Sequence, residues 1–492
     1  MTEQTTLSPR PAAPAGAPSA RDRSVITLLL VSAFVVILNE TVMGVALPVL
    51  MEDLEIEAHV GQWLTTAFLL TMAVIIPITG FLIQRFTTRT LFGTAMTLFS
   101  VGTLAAALAP TFEVLLLGRV IQASGTAVMM PLLMTTVMTL VPPANRGRMM
   151  GNISIVISVA PAVGPTISGV ILNYLDWRFI FWLVLPIAVA SLVLGLSRMK
   201  NVGEHTESRI DVVSVLLSVV GFGGVVYALS SLGEGASGTP LMPVWVPFVV
   251  GGLGLALFIG RQLQLQRTDR ALLDLRTFRS RTFSVTVLLM AVMMMALFGT
   301  LILVPIYLQS VLGLEPVQAG LLLLPGGLLM GLAAPFVGRA YDRVGARPLL
   351  VPGTIIVAVA LWALAFGATE STPAWVILAV HVALSAGLAL TFTPLFTSGL
   401  GAVVPKLYSH GSAIVGTVQQ LAGAAGTTLF VSVMTVGTTA LLADGASPVH
   451  ATAGGVHTAF LYGAIISSLG IIGAFFVRAV PATDGAPTPA HH

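Results

Sequence analysis

The sequence contains no cysteine and very little charge. Lys and Arg account for 23 of its 492 residues and Asp and Glu for 20, so charged residues make up 9% of the chain, against about 25% in an average soluble domain. So few charges cannot cover the surface of a soluble protein of this length. The composition therefore excludes a soluble enzyme and a disordered chain, and it argues against nucleic-acid binding. The absence of cysteine excludes disulfides and thiolate metal sites.

Lysine is the scarcest charged residue. It occurs twice, at Lys200 and Lys406, and neither position completes a G-x-x-x-x-G-K pattern. The loop that cradles ATP phosphates through this motif is therefore absent. We expect neither ATP nor another cofactor to drive the protein.

Long apolar runs are what the sequence has in abundance. A membrane-spanning helix takes about 17–25 mostly apolar residues, and we therefore predict an all-α, multi-pass protein of the lipid bilayer. The fourteen predicted spans, numbered in chain order, are 24–48, 60–83, 91–109, 113–140, 151–172, 179–197, 211–232, 244–260, 282–308, 317–338, 349–368, 374–402, 411–441 and 457–477. Residues 1–23 and 479–492 are predicted to be disordered tails.

The basic residues indicate the orientation. If the chain has fourteen spans, the loops on one side contain a single basic residue, Arg178, and Arg119 lies inside span 4. The other 21 of the 23 basic residues all lie on the opposite side. Loops rich in Lys and Arg stay in the cytoplasm. We therefore predict that both termini are cytoplasmic.

Two loops on the predicted cytoplasmic side resemble each other. Gly80–Arg89 reads GFLIQRFTTR and Gly338–Arg347 reads GRAYDRVGAR. Such a repeat is typical of a transporter with two halves in the same orientation. The separation is larger than six spans require, so spans 7 and 8 are predicted to be inserted, either as a seal between the halves or as a dimer surface. The predicted domains are 24–198, an insertion at 199–281, and 282–478.

The second loop resembles the loop signature of the major facilitator superfamily. The arrangement of six, two and six spans resembles the fourteen-span drug:proton antiporter branch of that family, the EmrB/QacA type. Similar motifs of the branch occur at Leu38–Pro48, Gly118–Ala127, Ala162–Gly169 and Asp176–Pro186. The pair Asn39–Glu40, in place of the branch's Asp, resembles the lincomycin-resistance exporters.

This resemblance implies a fold and a function. The fold is two helical halves around a central cavity, and the function is multidrug efflux by alternating access from a bacterial cytoplasmic (inner) membrane. The partners are small-molecule drugs and protons, the proton gradient takes the place of a cofactor, and the protein is a monomer. Two alternatives are an exporter of a single antibiotic or metabolite, and a receptor or channel without coupling.

Glu40 and Arg119 are the two charged residues that lie clearly inside predicted spans, where charge is costly and so usually functional. Our hypothesis is that Glu40 is the coupling carboxylate, which holds a proton in apolar surroundings and releases it when wetted. The resemblance implies that Arg119 takes part in this proton transfer. The alternative for Glu40 is a structural carboxylate hydrogen-bonded across helices, and for Arg119 a structural tether.

Two further sets of residues are candidates. The drug cavity should be mostly apolar with few polar groups, and its candidates, each of which could also be ordinary core, are Asn39, Trp63, Phe68, Gln122, Met129, Met130, Met294, Phe298, Tyr307, Gln419 and Gln420. The candidates for gating and conformational change, among which Asp342 and Arg343 are expected to form an ion pair, are Gly80, Arg85, Arg89, Gly164, Pro165, Gly169, Gly338, Asp342, Arg343, Gly345 and Arg347.

Overall fold

The computed structural model describes residues 19–199, 201–202, 210–234, 243 and 245–477. Within these residues, fourteen helices are long and apolar enough to cross a membrane, which confirms the predicted number. They are α1 (Ala20–Asp53), α2 (Trp63–Arg85), α3 (Thr88–Ala107), α4 (Phe112–Leu140), α5 (Arg146–Tyr174), α6 (Arg178–Arg198), α7 (Val212–Leu232), α8 (Trp245–Leu265), α9 (Arg281–Ser310), α10 (Pro316–Val344), α11 (Arg347–Gly367), α12 (Ala374–Gly401), α13 (Tyr408–Ala443) and α14 (Pro448–Phe476). The predicted tails lie largely outside the described residues.

Capping residues decide several helix ends. The Ser19 hydroxyl accepts a hydrogen bond from the Asp22 backbone N–H, so α1 begins at Ala20, inside the segment predicted to be a tail. Ser280 and Ser447 cap α9 and α14 in the same way, each by bonding an otherwise unpaired N–H of the first turn. At the other end of a helix, Gly345 adopts a φ of 79°, which suits glycine and stops α10.

The first six and last six helices form two bundles that share most of their internal pairing. In the first bundle α1 packs on α5, α2 on α4, and α3 on both α4 and α6. In the second bundle the equivalent helices form the same pairs: α9 with α13, α10 with α12, and α11 with α12 and α14. The second bundle also pairs α13 closely with α14, whereas the equivalent helices α5 and α6 barely touch. The internal repeat seen in the two loops therefore extends to the packing of both halves.

The halves meet along two crossed pairs, α5 with α10 and α2 with α13. These contacts concentrate on the side that carries the Arg-rich loops, here called the basic side. A Cβ atom on Gly338 would lie 2.2 Å from the Gly147 carbonyl oxygen, and one on Gly151 would lie 2.5 Å from the Ala334 carbonyl oxygen. The backbones of α5 and α10 thus touch directly, which small residues make possible.

Of the two inserted helices, α7 contacts both bundles, and α8 packs on α7. The Ser218 hydroxyl donates to the Val74 carbonyl of α2 (3.2 Å), and the Thr428 hydroxyl of α13 donates to the Leu229 carbonyl of α7 (2.9 Å). A π-helical turn at Val219–Gly223 lies beside α2. The insertion therefore lies against the line where the two halves meet.

We expect substitutions at two adjacent glycines of α8 to have opposite effects. A Cβ on Gly251 would lie 2.6 Å from the Val225 backbone nitrogen of α7, whereas a Cβ on Gly252 would meet nothing within 4 Å. Gly251→Ala should therefore force α7 and α8 apart and destabilise the purified protein by about 1–3 kcal/mol. Gly252→Ala should be neutral or stabilising, because Ala favours helix. Equal melting temperatures for the two variants would contradict this packing.

Candidate functional site

Glu40 lies on α1 beside Thr41, which packs on Gly164 of α5 just beyond the close contact of α5 with α10. Its neighbour Thr41 donates a hydrogen bond to the Leu38 carbonyl (2.9 Å) and lies 3.4 Å from the Ala160 carbonyl of α5. The Glu40 side chain is partly exposed, and in the described part of the chain its carboxylate has neither a hydrogen bond nor a salt bridge. Glu40 is therefore accessible, and no neighbouring side chain holds its carboxylate in place.

Arg119, in contrast, is fully buried and held in place. Its Nη1 donates to Gln122 Oε1 (2.6 Å), whose Nε2 in turn donates to Thr103 Oγ1 (2.8 Å). The guanidinium carbon lies 4.1 Å from the centre of the Phe68 ring, a cation–π contact. Thr103 was not a candidate from sequence, because it belongs to no motif and lies on a different helix from Arg119.

Glu40 and Arg119 are close enough for their charges to interact. The contacts that hold Arg119 are uncharged, so the carboxylate is the charge available to balance the guanidinium. In a medium of low dielectric constant such attraction is much stronger than in water. Protonation of Glu40 removes the attraction, and wetting of the exposed side chain lowers the cost of the anion. The pair can therefore hold or release a proton according to access by water.

Four of the predicted drug-cavity residues are engaged in contacts within the protein. Phe68 lies under Arg119, and the ring of Trp63 stacks on Tyr227 of α7 at 6.0 Å. The Tyr307 hydroxyl donates to the Thr369 carbonyl (2.5 Å), and Gln122 bridges Arg119 and Thr103. These contacts indicate positioning or packing roles.

The other predicted cavity residues divide by exposure. Met129 and Met294 are buried in the core, as is Asn39, whose amide atoms find no hydrogen-bond partner among the described residues. The remaining candidates are partly exposed: Met130, Phe298, Gln419 and Gln420. The two glutamines make no hydrogen bond in the described part of the chain, so their amides are available to a ligand.

At the basic side, Asp342 of α10 contacts the beginning of α5. Its carboxylate accepts hydrogen bonds from the backbone N–H groups of Gly147 (2.7 Å) and Arg148 (2.8 Å). A carboxylate at a helix amino terminus is stabilised by the helix dipole. The structure differs here from the expected ion pair, because Arg343 is exposed and Asp342 instead joins the two halves.

The equivalent contact between α2 and α13 has the same geometry without the acid. A Cβ on Gly80 would lie 2.9 Å from His410 Nδ1, so the beginning of α13 approaches α2 closely. Gln84, at the position equivalent to Asp342, donates its amide N–H to the Lys406 carbonyl (2.9 Å). The exposed arginines of the two loops form no salt bridge among the described residues: Arg85, Arg89, Arg343 and Arg347.

The predicted antiporter segment of α5 has one packed glycine and one open glycine. A Cβ on Gly164 would lie 2.3 Å from Thr41 Oγ1 of α1, next to Glu40. A Cβ on Gly169 would meet nothing within 4 Å, so close packing accounts for Gly164 and not for Gly169. Pro165 lies within the helix and is exposed.

We therefore expect Gly164→Ala to displace α1 near Glu40 and Gly169→Ala to leave the protein unchanged. The thermal stability of the purified variants measures the difference, with a loss of about 1–3 kcal/mol for Gly164→Ala. Adding Thr41→Ala removes the clashing hydroxyl and should restore part of that loss. No recovery in the double variant would show that the clash lies elsewhere.

Comparison with known proteins is consistent with this geometry. The sequence profile of the Major Facilitator Superfamily matches residues 29–427. The Lincomycin resistance protein LmrB of Listeria monocytogenes is 42% identical over 468 residues, which cover 94% of this chain and 98% of that protein. The Multidrug resistance protein B homolog of Mycobacterium tuberculosis is 29% identical over 441 residues, which cover 87% of this chain and 81% of that protein.

A solved structure with the same fold is that of the human organic anion transporter MFSD10. It matches with a TM-score of 0.65 at 16% sequence identity, and the match covers 93% of this chain and all of that one. At this identity the likeness concerns the fold alone. The likeness to LmrB covers a similar share of the chain at a much higher sequence identity of 42%.

Proposed function

The chain belongs to the major facilitator superfamily and is a multi-pass membrane transporter rather than an enzyme. From this premise we propose that it exports hydrophobic, cationic or amphiphilic drugs in exchange for protons. It works as a monomer by alternating access. The proton gradient supplies the energy, and no cofactor is needed. Its basic side, with both termini, faces the cytoplasm of a bacterial cell, and the membrane is the cytoplasmic membrane.

The observation that supports proton coupling best is the unpartnered, partly exposed Glu40 beside the buried Arg119. A carboxylate that tied helices together would accept hydrogen bonds from a neighbouring helix, and in the described part of the chain Glu40 accepts none. Arg119 already has its own neutral contacts and does not need Glu40 to stay in place. A proton can therefore be exchanged at Glu40 without dismantling the site.

The transport cycle follows from which side is closed. The halves meet on the basic side, so this is an outward-facing conformation in which Glu40 takes up a proton from outside and drug leaves. After the halves rock, Glu40 loses its proton to the cytoplasm, and the anion favours binding of a cationic drug in the cavity. For a neutral drug, one proton driven by 100 mV supplies about 2.3 kcal/mol, enough for a concentration ratio of roughly 50.

We expect Glu40→Gln to abolish drug-dependent proton movement while binding of a neutral drug persists. The glutamine keeps the shape of the side chain but cannot exchange a proton. Proteoliposomes containing a pH-sensitive dye should show proton flux on drug addition with the wild-type protein and only background flux with the variant. Glu113→Gln is the matched control, because Glu113 is an exposed acid at the beginning of α4. Normal flux in Glu40→Gln would refute the assignment.

A second candidate is a dedicated exporter of one antibiotic, which is favoured by the likeness to a protein named for lincomycin resistance. Multidrug export is favoured by the likeness to a multidrug resistance protein homolog and by the adaptable lining of Met130, Phe298 and two free glutamines. A drug-sensitive host that expresses the protein distinguishes the two. Protection against chemically unrelated compounds supports multidrug export, and protection against lincomycin alone supports the dedicated exporter.

A further inference from the structure

The two equivalent gates on the basic side differ in charge. At one gate the Asp342 carboxylate binds the amino terminus of α5. At the other gate the equivalent residue is Gln84, whose neutral amide donates to the Lys406 carbonyl just before α13. A neutral donor cannot stabilise a helix amino terminus electrostatically as a carboxylate does. The α2–α13 gate would therefore lack an acid if it consisted of the two bundles alone.

The linker that follows the inserted helices lies directly at this gate. Leu272 is fully buried and packs against Ile78 and Phe81 near the basic end of α2. The linker is fixed from the other side by Gln262 of α8, whose side-chain oxygen accepts hydrogen bonds from the Leu272 N–H (2.8 Å) and the Leu273 N–H (3.3 Å). The linker is thus anchored to α2 and to the insertion.

Asp269 of this linker binds Lys406, in the short helical turn Pro405–Leu407 that leads into α13. Its Oδ2 accepts a hydrogen bond from Lys406 Nζ (2.9 Å), and its Oδ1 accepts one from Arg276. Arg276 is itself held by Asp274, whose carboxylate oxygens lie 2.9 and 3.0 Å from Nε. Asp269 adopts a left-handed φ of 54°, a conformation that Asp tolerates better than most residues other than glycine.

The Asp269 carboxyl group stays ionised at neutral pH. The hydrogen bonds from Lys406 and Arg276 lower its pKa to about 2. A carboxylate whose pKa is lowered in this way stabilises the folded state fully above the ordinary pKa of Asp. That stabilisation is lost only as the pH falls through about 2. The contact therefore persists at every pH at which a cell operates, so it acts as a fixed latch.

We propose that Asp269 is the acidic latch of the α2–α13 gate, where it supplies from the insertion the carboxylate that Gln84 does not provide. The proposal rests on the proposed function only in that the two halves rock during transport. The insertion then takes part in closing the gate between the two bundles. It ties the beginning of α13 to the linker packed on α2 and so favours the conformation that is closed toward the cytoplasm.

The absence of cysteine makes a direct test possible. Ser154 of α5 is buried, and its hydroxyl lies 2.9 Å from Thr393 Oγ1 of the other half. Ser154→Cys thus places a single thiol at the interface of the halves, away from the linker. Its rate of alkylation by a membrane-permeant maleimide reports opening of the cytoplasmic side, and it does not depend on drug or proton transport.

We expect Asp269→Asn to raise this alkylation rate roughly 2- to 5-fold, the change expected for the loss of one exposed ion pair. Lys406→Gln should have the same effect, and the double variant should exceed neither single variant because both remove one contact. Asp342→Asn, which weakens the other gate, is the positive control. The matched negative control is Arg270→Ala, which removes an exposed neighbouring charge that forms no salt bridge in the described part of the chain.

A rescue tests whether the acid of the linker replaces that of the loop. Gln84→Glu places a carboxylate at the gate, and in the Asp269→Asn background it should return the alkylation rate toward that of the parent. Failure of this rescue would refute the replacement of one acid by the other. An Asp269→Asn rate equal to that of Arg270→Ala would refute the latch itself. Either outcome is independent of whether Glu40→Gln abolishes proton flux.

Discussion

The contact of two helix amino termini with the opposite half is the interaction on which the described conformation depends. Helix α5 begins against Gly338 and α13 begins against Gly80, and at both places a side chain larger than hydrogen would separate the halves. Because the backbones touch, the N–H groups of the first turn of α5 can reach an acceptor on the other half. The basic side is therefore closed by backbone geometry, and the side chains of Asp342 and Gln84 stabilise it.

The position of Glu40 follows from the same contact. The close approach of α5 and α10 extends from Gly147 and Gly338 to Gly327, where a Cβ atom would lie 2.5 Å from that of Ala162. Gly164, half a turn further along α5, packs on Thr41 instead. One helix therefore contacts the gate at its first turn and the neighbourhood of Glu40 further along its length. A movement of α5 away from α10 would alter both places together.

The scarcity of charge shapes how the site is built. Arg119 is stabilised by the amide of Gln122, which is itself bonded to the Thr103 hydroxyl, and by the ring of Phe68. All three groups are neutral, and a membrane interior tolerates neutral groups better than charges. Charged contacts occur instead near the membrane surfaces. The insertion follows this division, because its spanning part packs through glycines while Asp269 and Arg276 lie in its linker.

The number of helices could be predicted from the sequence alone and is confirmed, whereas the orientation of the chain and the roles of Glu40 and Arg119 stay predictions that the sequence makes. Each depends on a local property: the length of an apolar run, the charge of a loop, or an ionisable residue inside such a run. The tertiary structure alone revealed Phe68 and Thr103 as supports for Arg119, the binding of Asp342 to α5, and the contact of Asp269 with Lys406. These contacts join residues that lie far apart in the chain, 195 positions in the case of Gly147 and Asp342. Local patterns carry no information about which distant backbone a side chain will meet, because that is decided only when the two halves pack.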